Sequence, residues 1–286
     1  MLLESPGQLR TKSLSLGEYI RTNYYDLVAL TENWLGSTVD KKCISEFVPA
    51  SYSIKHVPPP EGRRGGGLAL LYKSALDVRL LSSSTGVHYK LVKCEHSIEN
   101  QRVRLAVVYR PPPSQQHGLT TSAFLDEWST FLTDYAIDRR EVLVVGDFNF
   151  NLDVDTDSHA QCFLDALKAC GFQQHVREPT HIHGHTLAVV ISRDTNDVVS
   201  DATFTDPVLC DQLGKASRDH FDVSFTTNLP KPVPIRKLVS YRKFSKIDME
   251  AFRQDITNSP LLGSTSGSMD TLFNAYNDGI YNDGTS

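Results

Sequence analysis

Side chains able to bind a metal ion or to move protons stand at the carboxyl ends of apolar runs along this sequence, or directly beside them. They comprise three acids, a phenol, an amide and an imidazole, namely Glu32, Tyr109, Asp147, Asn149, Asp219 and His220. Loops at strand ends are where a rigid sheet assembles a site. A hard ion such as Mg²⁺ needs only one or two carboxylates, because it keeps several of its waters. The pattern therefore predicts one site built from distant segments.

Each of these features also has an ordinary structural explanation when taken alone. The Gly-Asp-Phe-Asn stretch at 146–149 is typical of a turn, because Asp and Asn cap their own backbone and Gly tolerates positive φ. A single glutamate after a strand, such as Glu32, is usually a solvated helix start. His181, His183 and His185 would share one face of a strand and suit a transition metal, but a loop that enters a strand is the simpler interpretation.

The spacing of apolar residues predicts the elements that hold these groups. Helical spacing marks Ser15–Tyr25, Ala123–Tyr135 and Ser158–Cys170, the last closed by Gly171. Strands are predicted after Asp26 and at Leu68–Tyr72, Arg104–Tyr109, Glu141–Val145, Thr186–Ser192 and His220–Thr226. Because few helices interrupt these strands, we expect two packed sheets with helices outside, with Phe124, Trp128 and Phe131 in the core.

Composition and charge narrow the class of protein. With 40% hydrophobic and 22% charged residues, the 286-residue chain is neither wholly disordered, collagen-like nor coiled-coil. No apolar run approaches the roughly 18 residues that a membrane span needs. The N-terminus shows no secretory or transit signal, so we expect a nuclear or cytoplasmic protein that is not secreted and has no membrane partner. The five cysteines are odd in number and form no C-x-x-C pair, which argues against a disulfide framework or a zinc ribbon.

The distribution of charge and proline suggests two parts. The net charge of −5 argues against a surface that coats nucleic acid broadly, although basic residues gather between Lys231 and Arg253. The composition changes after Phe225, and the proline-rich stretch at 229–234 is typical of a stiff linker. We therefore expect a folded domain at 1–228, followed at 229–286 by a Pro/basic linker and a partly ordered tail.

Seven short motifs follow one another between residue 30 and residue 221. They are Leu-Thr-Glu-Asn-Trp-Leu (30–35), Arg-Gly-Gly-Gly-Leu-Ala (64–69), Val-Tyr-Arg-Pro-Pro (108–112), Val-Gly-Asp-Phe-Asn (145–149), Gln-His-Val-Arg-Glu-Pro-Thr-His (174–181), Gly-His-Thr-Leu (184–187) and Arg-Asp-His-Phe (218–221). In this order they resemble the endonuclease/exonuclease/phosphatase superfamily, specifically the apurinic-type endonuclease domain of non-LTR (LINE-like) retrotransposons. The ordered set is more specific than any single motif.

This resemblance implies an α/β fold, a four-layer sandwich of two packed mixed β-sheets flanked by helices. It also implies a metal-dependent endonuclease that hydrolyses DNA phosphodiester bonds with Mg²⁺, or with Mn²⁺ as the alternative ion. On the family's pattern, Glu32 binds the metal and Asp219 completes the metal or water network. Asp147 and Asn149 orient and activate the attacking water, a role that the residue types suit because charge developing on phosphorus needs fixed donors and a cation.

The same pattern assigns the groups that meet the substrate. His220 stabilises or protonates around the scissile phosphate, Tyr109 contacts that phosphate, and Asn149 and Arg110 are expected to bind the substrate beside it. DNA is the expected partner. An intact element would also carry a downstream reverse transcriptase domain, which we expect to be absent from this chain.

Two departures from the pattern predict impaired activity. Family members begin with a strand that ends in an Asn of the metal shell, whereas here Glu4-Ser-Pro-Gly leads into Gln8-Leu-Arg-Thr-Lys, so we expect the strand to be truncated and its Asn missing. Family members also carry an acid that holds the catalytic His where this chain has Ala188. Asp222, Asp194 and Asp197 are nearby acids that could substitute.

Three functions remain open on the sequence. The first is a Mg²⁺-dependent endonuclease that nicks one DNA strand. The second is a catalytically silent remnant that keeps the fold and binds DNA weakly. The third, a small-molecule phosphatase, is less favoured because the motifs resemble retrotransposon endonucleases.

Overall fold

The computed structural model describes residues 1–4, 9–36, 40–59, 66–85, 87–98, 101–211, 213–216, 219–228, 248–258 and 268–274. The chain divides into two compact units, Met1–Pro232 and Val233–Ser286. The second unit contains a helix at Met249–Asn258. The predicted linker at 229–234 lies outside the described residues, and every element named below belongs to the first unit.

The first sheet is built from the two ends of this unit. Its strands are β1 (Leu2–Glu4), β2 (Leu27–Thr31), β3 (Tyr52–Val57), β4 (Leu68–Lys73), β11 (Val199–Thr205) and β12 (Asp222–Thr227). Within the described residues they lie in the order β11-β12-β1-β2-β4-β3, and only β1 and β2 run parallel among these neighbours. Two helices, α1 (Leu9–Asn23) and α2 (Lys41–Phe47), pack apolar side chains such as Leu16 and Phe47 on its outer face.

The second sheet takes the middle of the chain. Its strands are β5 (Asp77–Thr85), β6 (Lys90–Ile98), β7 (Gln101–Tyr109), β8 (Glu141–Asp147), β9 (Phe172–Gln174) and β10 (Ala188–Arg193). Within the described residues their order is β5-β6-β7-β8-β10-β9, with β7 and β8 parallel and the other pairs antiparallel. Helices α3 (Thr121–Ala136) and α4 (Ser158–Ala169) cover the outer face of this sheet.

The inner faces of the two sheets form one buried core. Leu70 of the first sheet lies in the same cluster as Val107, Val145 and Val190 of the second. Alternate residues of each strand point inward, as the period of two in a strand requires. The result is the expected four-layer sandwich, with helices outside two mixed sheets.

Aromatic packing under the second sheet fixes the loop that follows β8. Trp128 is completely buried, and its ring centroid lies 4.8 Å from that of Phe131 and 4.9 Å from that of Phe148. Phe150 lies 5.2 Å from Phe163 of α4. Such rings each bury roughly 150–250 Å². Phe148 and Phe150 therefore anchor the segment that carries Asp147 and Asn149.

The sequence predicts a truncated first strand that lacks its Asn. In the structure β1 has three residues and lies in the middle of the first sheet, between β12 and β2. Leu2 pairs with Ala29 and with Val223, and Glu4 pairs with Thr31. Three residues are too few to show a period, but ladders on both sides hold them in place. The strand is thus short but present, and it ends in Glu4 where the family's pattern has Asn.

Other element boundaries shift by a few residues. Helix α1 begins at Leu9 rather than near Ser15, and β10 and β12 each begin two residues later than predicted. All five cysteines are free thiols. In the part of the chain that the structure describes, no helix combines the length and the apolar character required to cross a membrane.

Candidate active site

The site predicted from the sequence lies at one end of the cleft between the two sheets. Tyr109 and Asp147 end β7 and β8 and pair directly with each other, and Asp147 pairs on its other side with Ala188. Directly paired residues share a face of a sheet, and this face looks into the sandwich. Glu32 follows β2 of the opposite sheet, and the Tyr109 hydroxyl donates a hydrogen bond to Glu32 Oε1. The phenol therefore connects the two sheets at this end.

Asp147 is oriented by the residues that follow it. The Asn149 backbone N–H donates to Asp147 Oδ1 at 2.9 Å, and Asn149 Nδ2 donates to Asp147 Oδ2 at 3.0 Å and to the Arg110 carbonyl at 2.8 Å. These bonds use the amide nitrogen of Asn149, which makes its amide oxygen available as an acceptor or ligand. Asp147 and Asn149 thus act as one unit.

Gly146 is required for a reason other than the expected turn. It lies within β8, and a Cβ at this position would be 1.9 Å from the carbonyl oxygen of Val108 on β7. Only glycine permits that approach of the two parallel strands. The positive φ falls instead on Asn149, at 49°.

Arg110 supports the loop from behind. Its side chain is 3% exposed, and its guanidinium donates to the carbonyls of Phe148 and Asn149 at 2.8 and 3.0 Å and to Thr121 Oγ1 at 2.9 Å. Burial lowers the pKa of Arg110 to about 10, which still leaves it charged at neutral pH. This geometry gives Arg110 a role in holding the loop, and the substrate contact expected from the sequence stays a prediction.

Three of the six described non-glycine residues with positive φ, namely Glu32, Trp34 and Asn149, lie in or beside this group. Glu32 and Trp34 both have a φ of 52°. Non-glycine residues rarely adopt this region, and such strain is often found at functional sites. The Trp34 N–H donates to the Gly66 carbonyl at 2.8 Å, and the Asn33 N–H to that of Gly67 at 3.4 Å. The Gly66 segment thus holds the turn that presents Glu32.

A second group of predicted residues, Asp219 and His220, is linked to the second sheet through a loop. His181 and His220 form an isolated antiparallel bridge, the Ile182 N–H donates to the Asp219 carbonyl at 2.9 Å, and the Phe221 N–H donates to the Thr180 carbonyl at 2.9 Å. Thr180 is completely buried, and its Oγ1 accepts the N–H groups of Leu187 and Ala188 at 2.9 and 3.0 Å. Thr180 therefore joins the His220 segment to the start of β10, beside Asp147.

The three alternating histidines do not act as one unit. The ring of His181 lies 4.7 Å from that of His220 and 4.8 Å from that of His183. His185 instead contacts Asp153, with its Nδ1 3.1 Å from Asp153 Oδ2. Burial lowers the pKa of His181, and the charges of His220 and His183 lower it further. Across the described residues, no group of three or more His, Cys, Asp or Glu side chains is arranged to hold a metal ion.

Three acids could take over the role of the acid missing at position 188, but each lies in a different environment from Ala188. Asp222 is buried beneath α1, where its Oδ2 accepts from Tyr19, Tyr25 and Ser224 at 2.8, 3.3 and 3.2 Å. Burial raises the pKa of Asp222, and those three hydrogen bonds oppose the rise. Asp194 and Asp197 follow the far end of β10. Ala188, by contrast, is buried directly opposite Asp147.

The structure also shows residues of the site that the sequence does not reveal. Lys90 is buried and pairs directly with Tyr109. Thr180 is a structural link between two segments, although it stands inside one of the quoted motifs. No periodic pattern marks a single lysine at the start of a strand, so only the register identifies Lys90.

Solved structures share this fold. The endonuclease domain of TRAS1, a telomere-specific non-LTR retrotransposon, matches with a TM-score of 0.57 and 12% identity, over 80% of this chain and 99% of that one. The AP endonuclease LMAP from Leishmania major matches with a TM-score of 0.63 and 13% identity, over 80% of this chain and 87% of that one. The 3′ phosphatase NExo from Neisseria, bound to a product DNA hairpin, matches with a TM-score of 0.57 and 12% identity, over 79% and 98% of the two chains.

The sequence itself decides the family. No curated protein matches it at a significant level. Residues 3–232, however, match the model of the family described as "Endonuclease/Exonuclease/phosphatase family". This span includes every predicted site residue and both sheets except for Leu2, the first residue of β1. The chain therefore belongs to the Endonuclease/Exonuclease/phosphatase family.

Proposed function

We propose that this chain is a Mg²⁺-dependent DNA-nicking endonuclease derived from a non-LTR retrotransposon. The observation that carries the proposal is the group formed by Glu32, Tyr109, Asp147 and Asn149 at one end of the cleft. Family membership and the likeness to the TRAS1 endonuclease domain support it. An element of that kind would act on chromosomal DNA in the nucleus and would pair this domain with a reverse transcriptase.

The residues present fit a hard divalent cation. Glu32 and Asp147 supply carboxylate oxygens, and the amide oxygen of Asn149 is a neutral oxygen donor beside them. One or two carboxylates are enough for Mg²⁺, with waters completing its shell, so a cluster of three acids is not required. We propose that Glu32 and Asp147 hold the ion and that Asp219 supports its water network. Bound there, Mg²⁺ would neutralise charge developing on the phosphate.

The side chains of the chain then have separate tasks in the hydrolysis, which adds water across one P–O bond. Asp147, locked by Asn149, accepts a hydrogen bond from the attacking water and takes its proton. The imidazole of His220 donates to the phosphate, and the Tyr109 hydroxyl contacts the same group. Arg110 keeps the Asp147–Asn149 loop in place. DNA is the proposed substrate because these groups match the pattern of an endonuclease.

A second candidate is a catalytically silent remnant that keeps the fold and weak DNA binding. One observation favours it, namely the methyl group of Ala188 at the buried position directly opposite Asp147. On the family's pattern this position carries the acid that orients the catalytic histidine, and loss of such an acid removes much of the histidine's catalytic value. We therefore expect the nicking activity to be slow.

The experiment is the nicking of supercoiled plasmid by the purified chain in Mg²⁺, Mn²⁺ or EDTA. We expect slow formation of open-circular DNA with either metal, none in EDTA, and loss of activity in Asp147→Asn. Asp126→Asn, which removes an exposed acid on α3, serves as the matched control and should keep the parent rate. Equal nicking in EDTA or by Asp147→Asn would refute the proposed site. No nicking by the parent protein would favour the silent remnant.

A further inference from the structure

Lys90 lies in the same row of the second sheet as the proposed catalytic residues. It begins β6 and pairs directly with Tyr109, which pairs with Asp147. Because directly paired residues share a face, the Lys90 side chain belongs to the face that looks into the sandwich. It is 6% exposed. Lysines are almost never fully buried unless their charge is paired.

The ammonium group has a defined place beside the phenol. Lys90 Nζ lies 5.8 Å from the centroid of the Tyr109 ring, within the range of a cation–π contact. It also rests against Gly66, where a Cβ would lie 1.7 Å from Nζ. The hydroxyl of the same Tyr109 ring donates to Glu32. The positive charge is thus held next to the pair that joins the two sheets.

This positive charge has opposite effects on the binding of a divalent metal ion and on the binding of a DNA phosphate at the proposed site. Glu32 and Asp147 attract a divalent cation but repel the phosphates of DNA. A lysine ammonium is a compact point charge with three donors, and burial reduces its screening by salt. It therefore favours a nearby phosphate and opposes a nearby metal ion.

We infer that Lys90 is a fixed cationic group of this site, which draws a DNA phosphate towards Tyr109 and weakens the binding of divalent metal. The inference rests on the proposed function, because it assigns the ligands of that same site. It differs from a purely structural role, in which Lys90 would only fill the space beside Gly66.

The test compares Lys90→Met with Lys93→Met. Lys93 lies on the opposite face of β6, where its Nζ is 5.3 Å from the Phe131 ring centroid and 5.4 Å from that of Tyr135. Because both variants replace a lysine by a methionine, they change the net charge equally. Binding of a short labelled DNA duplex is measured in EDTA by fluorescence anisotropy at several salt concentrations. Binding of Mn²⁺ is measured by titration calorimetry.

For Lys90→Met, we expect weaker duplex binding with a salt slope lower by about one, together with tighter Mn²⁺ binding. Lys93→Met should leave both affinities close to those of the parent protein. Changes in opposite directions are the signature of a charge, because a structural defect would weaken both ligands. Lys90→Gln, which keeps a polar group, replaces the methionine variant if that variant does not fold.

Three results would overturn the inference. They are equal effects of Lys90→Met and Lys93→Met, loss of both affinities together, and a parent protein that binds no DNA in EDTA. Because neither measurement requires hydrolysis, a parent protein that fails to nick plasmid refutes the proposed endonuclease but leaves the role of Lys90 to be decided by these affinities.

Discussion

At the scale of single residues, Ala188 is well placed in the proposed site but carries no group that can take part in its chemistry. Its backbone N–H is held by Thr180 and it lies opposite Asp147, so the position is ordered and faces the proposed catalytic groups. A methyl group there can neither accept a hydrogen bond from an imidazole nor stabilise its charged form. The backbone therefore positions residue 188 for a carboxylate, which alanine does not supply.

We predict that Ala188→Asp raises the rate of plasmid nicking at least about tenfold, because an acid that orients a catalytic histidine is typically worth on the order of 10²–10⁴. The gain should be partial, since β1 ends in Glu4 rather than Asn. The same substitution should lower Tm in metal-free buffer, because like charges directly opposite in a sheet repel. The double variant Ala188→Asp/His220→Ala is the control and should lose the gain. A parent protein already as fast as Ala188→Asp would show that another group orients His220.

Sequence reasoning works well for residues that follow an apolar strand. Glu32, Tyr109, Asp147 and Asn149 are visible because a buried strand ending in a polar group is an unusual local pattern. In the structure, hydrogen bonds join Tyr109 to Glu32 and Asn149 to Asp147, and Tyr109 pairs with Asp147 in the sheet. Sequence reasoning misses Lys90, and it does not reveal the contacts by which Arg110 holds the loop. Their surroundings are set by contacts between strands and helices far apart in the chain, which no local pattern encodes.

At the scale of elements, the loop from Thr180 to His185 controls how the His220 segment meets the second sheet. The Thr180 carbonyl accepts the Phe221 N–H, and the Thr180 hydroxyl accepts the N–H groups of Leu187 and Ala188. Thr180, rather than a neighbouring strand, thus binds the N–H groups of Leu187 and Phe221, which explains why β10 and β12 begin later than the apolar pattern predicts.

Replacing Thr180 by Val should destabilise the fold by roughly 1–3 kcal/mol, because the N–H groups of Leu187 and Ala188 would lose their acceptor inside the protein. Urea denaturation measures this change. Thr180→Ser keeps the hydroxyl and should lose much less. A valine variant as stable as the serine variant would contradict the role assigned to Oγ1.

The same loop should make stability depend on pH. The pKa of His181 is lowered by burial and by neighbouring imidazoles, so folding favours its neutral form. This contribution is present above the unfolded pKa of about 6.5 and is lost as pH falls from there through the folded pKa. We predict that the free energy of unfolding falls between about pH 7 and pH 5, and that His181→Gln reduces the slope.

His56 and His175, whose pKa burial also lowers, act in the same direction, so the slope should not vanish in this variant. His159→Gln, which replaces an exposed histidine on α4, is the control for the substitution itself. An identical slope for His181→Gln and the parent protein would exclude the loop as the source.

At the scale of the whole molecule, the proposed site joins the two sheets. Glu32 belongs to the first sheet and Asp147 to the second, so an ion held by both would bind only the native arrangement. We predict that Mg²⁺ raises Tm, since such a ligand adds RT ln(1 + [L]/Kd) to the stability. Glu32→Gln should remove most of the increase. No shift with Mg²⁺ in the parent protein would contradict a metal site shared between the sheets.

How much of the fold the sequence predicts depends on where each strand lies. Central strands such as β7 and β8 are buried on both faces, and their apolar runs were located within a few residues. The strands β3, β5 and β11 lie at the edges of the sheets in the described residues and carry mixed, half-exposed side chains, so no clear alternation marks them. β1 is too short to recognise without its two neighbours.

The two tryptophans of the chain occupy opposite environments. Trp34, two residues after Glu32, is 38% exposed, whereas Trp128 is fully enclosed by the aromatic side chains of α3, α4 and the Phe148 segment. The fluorescence emission maximum of Trp34 should therefore lie at a longer wavelength than that of Trp128. A soluble quencher such as acrylamide should reach Trp34 alone. Trp34→Phe would leave a pure signal from the core. The intrinsic fluorescence of this chain thus contains one reporter beside the site and one inside the sandwich, and occupancy can be followed separately from unfolding without any attached dye.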